Sequence, residues 1–450
     1  MCGIIAYIGH QESFPILLKG LKRLEYRGYD SAGVALLNST LKVYKKAGRV
    51  AALEAAVASE ALNGYCVGIG HTRWATHGAP TVANALPHLS PSGKLAVVHN
   101  GIIENYSALK QDLLSKGYTF QSDTDTEVLA CFIEDIQQGQ GSSLEEAVRL
   151  ALTKVVGAYA LVVLSEDAPH TLLAARKGSP LVIGVGQGEY LVASDATPIV
   201  EYTNQVIFIQ DQEMAVIQAE GLQMKDLHDV PLTPYVQQLD LTLEAIEQGG
   251  FEHFMLKEIF EQPKSIRDCM RGRLDCSHGQ LVLGGIHKYL PQLVQAHRIT
   301  LIACGTSWHA GLVAEYFLEA WCQIPVEVEY ASEFRYRNPV IRSGDLVIAI
   351  SQSGETADTL AALELAKAQG ATVLSICNVV ESSIARAAHA GIYTHAGPEV
   401  GVASTKAFTA QLTVLIMLAL ELAQQRGTLA AHTFQALLQA LDSIPDQVQT

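Results

Sequence analysis

The stretch Val67-Gly-Ile-Gly-His-Thr-Arg-Trp-Ala-Thr-His-Gly78 begins as a short apolar strand and ends with a cation, an indole and two hydroxyls crowded together. Three other segments share this character. Arg23-Leu-Glu-Tyr-Arg-Gly-Tyr-Asp-Ser-Ala-Gly33 follows a helical run and is dense in polar and turn residues. His99-Asn-Gly-Ile-Ile-Glu-Asn105 closes a strand with an Asn-Gly step, and Ser122-Asp-Thr-Asp-Thr-Glu127 opens a helix. Each has a plainer reading. Asn100-Gly101 suits a type I′ turn. Ser122–Glu127 suits an N-cap with a capping box. His71 and His77 suit ordinary polar positions near a strand end. Four such segments at strand or helix ends together point to a site.

Around them, short β-rich runs alternate with amphipathic helical runs as far as residue 225. Strands are expected at Cys2–Ile8, Gly33–Leu37, Lys42–Lys46, Val67–His71 and Leu95–His99. A later group at Leu161–Ser165, Thr171–Ala175, Leu181–Val185, Tyr190–Ser194 and Val206–Ile209 has the spacing of an antiparallel meander. Helices are expected at Glu12–Leu24, Val50–Leu62, Tyr106–Lys116, Thr126–Gln137 and Leu144–Val155. Helices segregated from antiparallel strands make residues 2–225 a layered α+β domain. Residues 226–250, with Pro231, Pro234 and Gly249-Gly250, read as a linker, and 251–450 as a second region. There the grammar changes. Ile299–Ala303, Leu346–Ile350 and Thr372–Cys377 are apolar strands alternating with helices, which means βαβ units and a parallel sheet. A long apolar helix follows at Lys406–Gln424, and another helical run occupies Ala430–Thr450.

Composition narrows the function. The chain has 450 residues and a formal charge of −15, with no basic tract, which disfavours nucleic acid and anionic membranes as partners. Its eight cysteines form no CxxC pair, so no zinc site is expected. Met1 leads straight into a strand, so no signal peptide is expected. The most apolar run, Leu412–Ala423, is too short to span a bilayer. The expectation is a cytoplasmic protein with reduced thiols and a small-molecule substrate.

Cys2 follows the initiator Met. Its small side chain permits Met removal, which leaves a thiol and a free α-amine on one residue. Their ordinary pKa values, about 8.5 and 7.7–8.0, are close enough for the amine to relay the thiol proton. Cys2-Gly-Ile-Ile, Arg27-Gly-Tyr-Asp-Ser-Ala-Gly33, His71–Gly78, His99–Asn105 and Thr124-Asp-Thr-Glu127 together resemble the class II, N-terminal-nucleophile glutamine amidotransferases. The resemblance covers residues 2 to about 220 and implies an αββα sandwich. It makes Cys2 the nucleophile that forms a glutamyl thioester. Asn100 and Gly101 become the oxyanion hole. Arg73 becomes the clamp on the glutamine carboxylate and Asp125 the partner of its ammonium. Trp74 covers the site, and Thr76 and His77 line the same loop.

In the second region Ser351-Gln-Ser-Gly-Glu-Thr356 joins a strand to a helix N-terminus, where N–H groups, the helix dipole and three hydroxyls converge on an anion. Cys304-Gly-Thr-Ser307 occupies the equivalent place after its own strand, and Val402-Ala-Ser-Thr-Lys406 opens the long helix. No Walker Lys is present. A plainer reading makes these simple N-caps of crossover helices. With Ala331-Ser-Glu-Phe-Arg-Tyr-Arg337 and Phe254–Pro263 they resemble the sugar isomerase (SIS) fold as it occurs in amidotransferases of bacterial type that aminate fructose 6-phosphate. That resemblance implies sugar-phosphate contacts from Ser351, Gln352, Ser353 and Thr356. It implies sugar contacts from Thr306, Val402 and Ser404. It also implies glutamine and fructose 6-phosphate as substrates, glucosamine 6-phosphate as product, no metal or organic cofactor, and a homodimer for the full-length enzyme. Such enzymes carry a second SIS unit, for which no segment is found before Thr450, so this polypeptide is expected to keep only the glutaminase half-reaction. The alternatives are a class II amidotransferase with another acceptor, or a phosphosugar-binding regulator built on the SIS fold.

Overall fold

Ile4, Ala6 and Ile8 project to one side of the first strand, β1 (Gly3–Ile8), and Ile5 and Tyr7 to the other; all five are buried. A strand buried on both faces must lie between two layers. The structure, a computed structural model, describes residues 2–75, 78–239, 248–380 and 382–450. The chain divides into two compact units, Met1–Leu243 and Glu244–Thr450.

In the first unit the remaining strands are β2 (Ser31–Leu37), β3 (Leu41–Ala47), β4 (Val67–Arg73), β5 (His88–Leu89), β6 (Leu95–Ile103), β7 (Gly157–Ser165), β8 (Leu172–Lys177), β9 (Val182–Val185), β10 (Tyr190–Ala193), β11 (Gln205–Phe208), β12 (Glu213–Gln218), β13 (Gly221–Asp226), β14 (Pro231–Leu232) and β15 (Gln237–Gln238). Among the described residues they form two antiparallel sheets. One has the order β15-β11-β9-β10-β1-β4-β2-β3, the other β14-β13-β12-β8-β7-β6-β5. The sheets face each other across Ile4, Ala6, Ile69, Ala96, Val98 and Val162. Helices α1 (Ser13–Leu24) and α2 (Val50–Val57) cover the outer face of the first sheet through Leu17, Leu21 and Leu53 against Ile5 and Tyr7. Helices α3 (Tyr106–Ser115), α4 (Asp125–Gln140) and α5 (Leu144–Lys154) cover the second through Leu113, Val128, Ile133 and Val148 against Val97 and Leu161. The unit is an αββα sandwich.

Two details differ from the plainer readings. Asn100-Gly101 is no turn: both residues lie inside β6, opposite Ala160 and Tyr159 of β7. The stretch expected as linker from residue 226 contributes β14, paired with β13, and β15, paired with β11. Pro231 is tolerated there because β14 is an edge strand.

The second unit carries β16 (Leu274–Asp275) and β17 (Gln280–Leu281) as a small hairpin. Its main strands are β18 (Arg298–Ala303), β19 (Val326–Tyr330), β20 (Asp345–Ser351), β21 (Thr372–Cys377) and β22 (Ala390–Tyr393). These five form a parallel sheet of order β19-β18-β20-β21-β22. Its helices are α6 (Phe254–Phe260), α7 (Gln262–Met270), α8 (Leu290–Val294), α9 (Gly305–Phe317), α10 (Ala331–Tyr336), α11 (Ala357–Ala368), α12 (Ser383–Ala387), α13 (Lys406–Arg426) and α14 (Ala431–Gln449). Leu301 and Ile348 pack on one face of the sheet with α7, α9, α13 and α14; Ile302, Val347 and Ala349 pack on the other with α10 to α12. Helix α13 is long and apolar enough to cross a membrane, yet Ala410, Val414, Met417, Leu418 and Leu422 are fully buried in this core. The chain leaves β18 toward β19 and returns to β20 on the other side. The strand order therefore reverses between β18 and β20, and open α/β sheets bind ligands at the carboxyl ends beside such a reversal.

Candidate active site

Position 2 precedes β1 and shares the parity of Ile4 and Ala6, so Cys2 stands at the mouth of the gap between the two sheets. The Trp74 N–H donates to Cys2 Sγ at 3.3 Å, and the thiol reaches the Trp74 carbonyl at 3.5 Å. The Cys2 carbonyl accepts from Arg27 Nε and from Asn100 Nδ2, each at 3.1 Å. Burial pushes the thiol above its ordinary value; the Trp74 N–H and the charges of Arg73 and Arg27 pull it back.

Asn100 is buried on β6, facing the first sheet. Its Oδ1 lies 3.0 Å from His71 Nε2, which leaves Nδ2 toward Cys2. Gly101 has φ +138°, and a Cβ there would lie 2.0 Å from the Ala158 carbonyl oxygen, so no other residue fits. Arg73 ends β4 and donates from Nη1 and Nη2 to the Ala79 and Gly78 carbonyls at 3.2 and 3.0 Å. Asp125, the first residue of α4, is buried and accepts from the Ile103 N–H at 2.9 Å. Of the plainer reading of this segment the N-cap holds, with Thr124 Oγ1 accepting the Glu127 N–H, but the capping box does not close: the Glu127 carboxylate takes the Gln121 and Ser122 N–H groups, while the Thr124 N–H donates to Ser122 Oγ. Trp74 is 43% exposed and meets Tyr29 edge-on at 5.4 Å. Thr76 and His77 lie outside the described residues.

Three residues of the Arg23–Gly33 segment contribute more than the sequence reading assigned them. Arg27 grips the Cys2 carbonyl and is anchored by Asp195 at 3.4 Å. The Asp30 carboxylate accepts from the Ala75 N–H at 2.8 Å, and its own N–H donates to the Arg73 carbonyl at 3.0 Å. Tyr29 supports Trp74. The signal available was the density of polar residues around Arg27; their partners are distant in sequence.

In the second unit Thr306 lies in the first turn of α9, after β18, and Ser351 ends β20, so the two expected contacts flank the strand reversal. Ser351 Oγ accepts from the Gly354 N–H at 3.0 Å and lies 3.4 Å from Thr356 Oγ1; Ser353 Oγ accepts from the Glu355 N–H at 3.2 Å. Gln352 joins this loop to the end of β21, its carbonyl accepting the Asn378 N–H at 3.2 Å. The Asn378 side chain donates to the Gly397 carbonyl and accepts from Thr394 Oγ1 and the Ala396 N–H. The segment running from there to α13 carries Val402, 78% exposed, and Ser404. It is held by Glu258, whose carboxylate accepts the Val400 and Gly401 N–H groups. Gln411 of α13 donates to Ser307 beside Thr306 at 3.0 Å. Hydrogen bonds thus tie the Ser351–Thr356 loop to the segment that leads to Val402, and the Cys304–Ser307 loop to α13. Among the described residues no group of three His, Cys, Asp or Glu side chains is arranged to hold a metal.

Fold and site together define a glutamine amidotransferase module followed by an SIS module. A family model described as a glutamine amidotransferase domain matches residues 71–201, and one described as an SIS domain matches residues 292–421. The glutamine–fructose-6-phosphate aminotransferase (isomerizing) of Chlorobaculum tepidum is 58% identical over all of this chain and 73% of its own length. That of Bacteroides thetaiotaomicron is 56% identical, over all of this chain and 74% of its own length. A solved C-terminal domain of glucosamine-fructose-6-phosphate aminotransferase from Francisella tularensis is 39% identical, covering 44% of this chain and 56% of that one, with a TM-score of 0.43. The chain belongs to the family of the isomerizing glutamine–fructose-6-phosphate aminotransferases. It spans nearly three quarters of these relatives, SIS match included, which gives no support to confining it to glutamine hydrolysis.

Proposed function

We infer that this chain takes the amide nitrogen from glutamine at Cys2 and passes it to fructose 6-phosphate, giving glutamate and glucosamine 6-phosphate. The observation that carries the reading is the meeting of Arg27, Asn100 and the Trp74 peptide on the two ends of one residue, Cys2. Removal of Met1 frees the Cys2 amine to take the thiol proton. The thiolate attacks the carboxamide carbon, and the oxyanion is stabilised by Asn100 Nδ2 and the Gly101 N–H. The amide C–N bond breaks, the nitrogen leaves as ammonia after taking up a proton, and water hydrolyses the glutamyl thioester to free the thiol. Arg73 and Asp125 hold the charged ends of glutamine. Ammonia then adds to the ketose carbon of a sugar whose phosphate is held by Ser351, Gln352, Ser353 and Thr356, with Thr306, Val402 and Ser404 against the sugar. That carbon loses its oxygen as water to give the imine, and transfer of a proton from C1 to C2 leaves the aldehyde at C1 and the amine at C2. The reading needs no metal or organic cofactor. It places the enzyme in the cytoplasm and makes the full-length form a homodimer.

One experiment separates the halves. Glutamate and amino-sugar phosphate are measured in the same reaction, with the parent chain and with Cys2→Ala. Both products are expected from the parent and neither from the variant when glutamine is the only nitrogen source. Glutamate alone from the parent overturns the transfer step; no glutamate overturns the role of Cys2.

A further inference from the structure

Asn100 can sit in two ways, and only one serves an oxyanion. The acceptor oxygen and donor nitrogen of its amide have nearly the same shape, so a neighbour must decide which one faces Cys2. His71 is that neighbour. Its Nε2 lies 3.0 Å from Asn100 Oδ1 and 3.2 Å from the His99 backbone carbonyl oxygen. A carbonyl only accepts, so Nε2 carries the proton, and the Asn100 atom beside it must accept too. Turning the amide over would set N–H against N–H in a site where His71 is 1% exposed.

The same contact joins the two layers. His71 continues the inward series Val67 and Ile69 of β4, in the first sheet; Asn100 continues Ala96 and Val98 of β6, in the second. Cys2 belongs to the first sheet through β1, which pairs with β4 so that Ile4 lies opposite His71. The nucleophile and the donor that serves its oxyanion therefore sit on different sheets, with a polar tie between those sheets beside them.

We propose that His71, with its proton on Nε2, is a positioning residue for glutamine hydrolysis that fixes the Asn100 amide with Nδ2 toward the developing oxyanion. The proposal rests on the reading of Cys2 as nucleophile. Burial also pushes the His71 ring down to about 3, so it stays neutral and keeps one tautomer at working pH.

The test uses the full chain. His71→Leu removes the donor; His71→Gln returns an amide N–H. His71→Leu is expected to lower the glutaminase kcat about 10- to 100-fold, short of what losing an oxyanion donor outright costs, with KM for glutamine little changed. Alkylation of Cys2 by iodoacetamide, which develops no oxyanion, should keep its rate, and His71→Gln should recover part of kcat. In an Asn100→Ala background the His71→Leu change should add little, because the group it positions is gone. An unchanged kcat in His71→Leu overturns the proposal, as does an equal loss in both backgrounds. Should His71→Leu fail to fold, nitrogen NMR of the unsubstituted chain decides: the Nε2–H tautomer is expected for His71, and the Nδ1–H tautomer or an imidazolium at neutral pH refutes the assignment. A parent chain that releases no glutamate at all defeats the reading of Cys2 and leaves the tautomer to be judged by NMR alone.

Discussion

Gly28 lies so close to the Arg73–Trp74 peptide that a Cβ there would stand 2.7 Å from both Arg73 C and Trp74 N. Its φ of −176° is open to any residue, so the obstacle is space alone. The peptide that Gly28 admits is the one whose N–H, that of Trp74, donates to the Cys2 thiol. Gly28→Ala should push that peptide aside. Overpacking of this kind costs about 1–3 kcal/mol, so the chain should still fold. Glutamate release is expected to drop at least about tenfold, with a Tm lower by a few degrees. Full activity in Gly28→Ala would show that the peptide does not set the thiol's place.

A glutamine-like electrophile should label Cys2 and no other cysteine. Burial pushes the thiols of Cys131, Cys269, Cys322 and Cys377 up to about 12, far from the thiolate form at neutral pH. Mass spectrometry of the labelled chain checks this, and modification of Cys304 or Cys377 instead would count against the assignment. The same spectrum reports the N-terminus. The active chain is expected to lack Met1, since a retained Met removes the amine that takes the thiol proton.

Acid should weaken the first unit from a pH well above that of carboxylate titration. His71 and His88 are both driven from 6.5 to about 3, in each case chiefly by burial. The folded unit keeps both rings neutral while the unfolded chain protonates them below about 6.5, so stability is complete above that pH and is lost as pH falls toward 3. Each group contributes a slope of about 1.4 kcal/mol per pH unit across the window. Urea unfolding of the full chain between pH 8 and 5 should show the decline begin near 6.5. His88→Gln, which keeps a polar group beside Thr124, should make the decline shallower. An unchanged slope in that variant would mean that His88 is not the group responsible.

Gly354→Ala should disable the acceptor site and spare glutamine hydrolysis. Gly354 has φ +65°, and a Cβ on it would stand 1.9 Å from Ser382 Oγ. The substitution is strained by conformation and by contact together, and it falls between Ser353 and Thr356. Fructose 6-phosphate binding, followed by calorimetry, is expected to weaken by at least about tenfold, as loss of one or two charge-assisted hydrogen bonds would produce. Retained sugar binding would move the phosphate site elsewhere.

The parallel sheet of the second unit was legible because its strands are apolar runs closed by helix signals, as at Leu346–Ile350. The αββα layering was not legible from pattern. β1 is buried on both faces, so Ile4-Ile5-Ala6-Tyr7-Ile8 shows no alternation, and only the resemblance implied two facing sheets. Asn100-Gly101 was ambiguous because Asn-Gly is a turn signal in isolation. What places it in a strand is its pairing with Ala160 and Tyr159 of β7, nearly sixty residues away. The sequence assigns Arg27 and Asp30 no role, since residue types do not reveal that one reaches the Cys2 carbonyl and the other the Ala75 N–H. Short edge strands such as β19 and β22 carry too few residues to declare a period.

Asn378 is not itself among the residues expected to touch the sugar, yet its backbone N–H holds the loop after β20 and its side chain holds the segment leading to α13. A binding site assembled this way resists piecemeal change. Altering one loop to suit a different acceptor strains its neighbour through the shared asparagine, so natural drift in acceptor preference should proceed by coordinated replacement of both segments. Anyone redesigning the pocket would do best to graft them as a single cassette with Asn378 included.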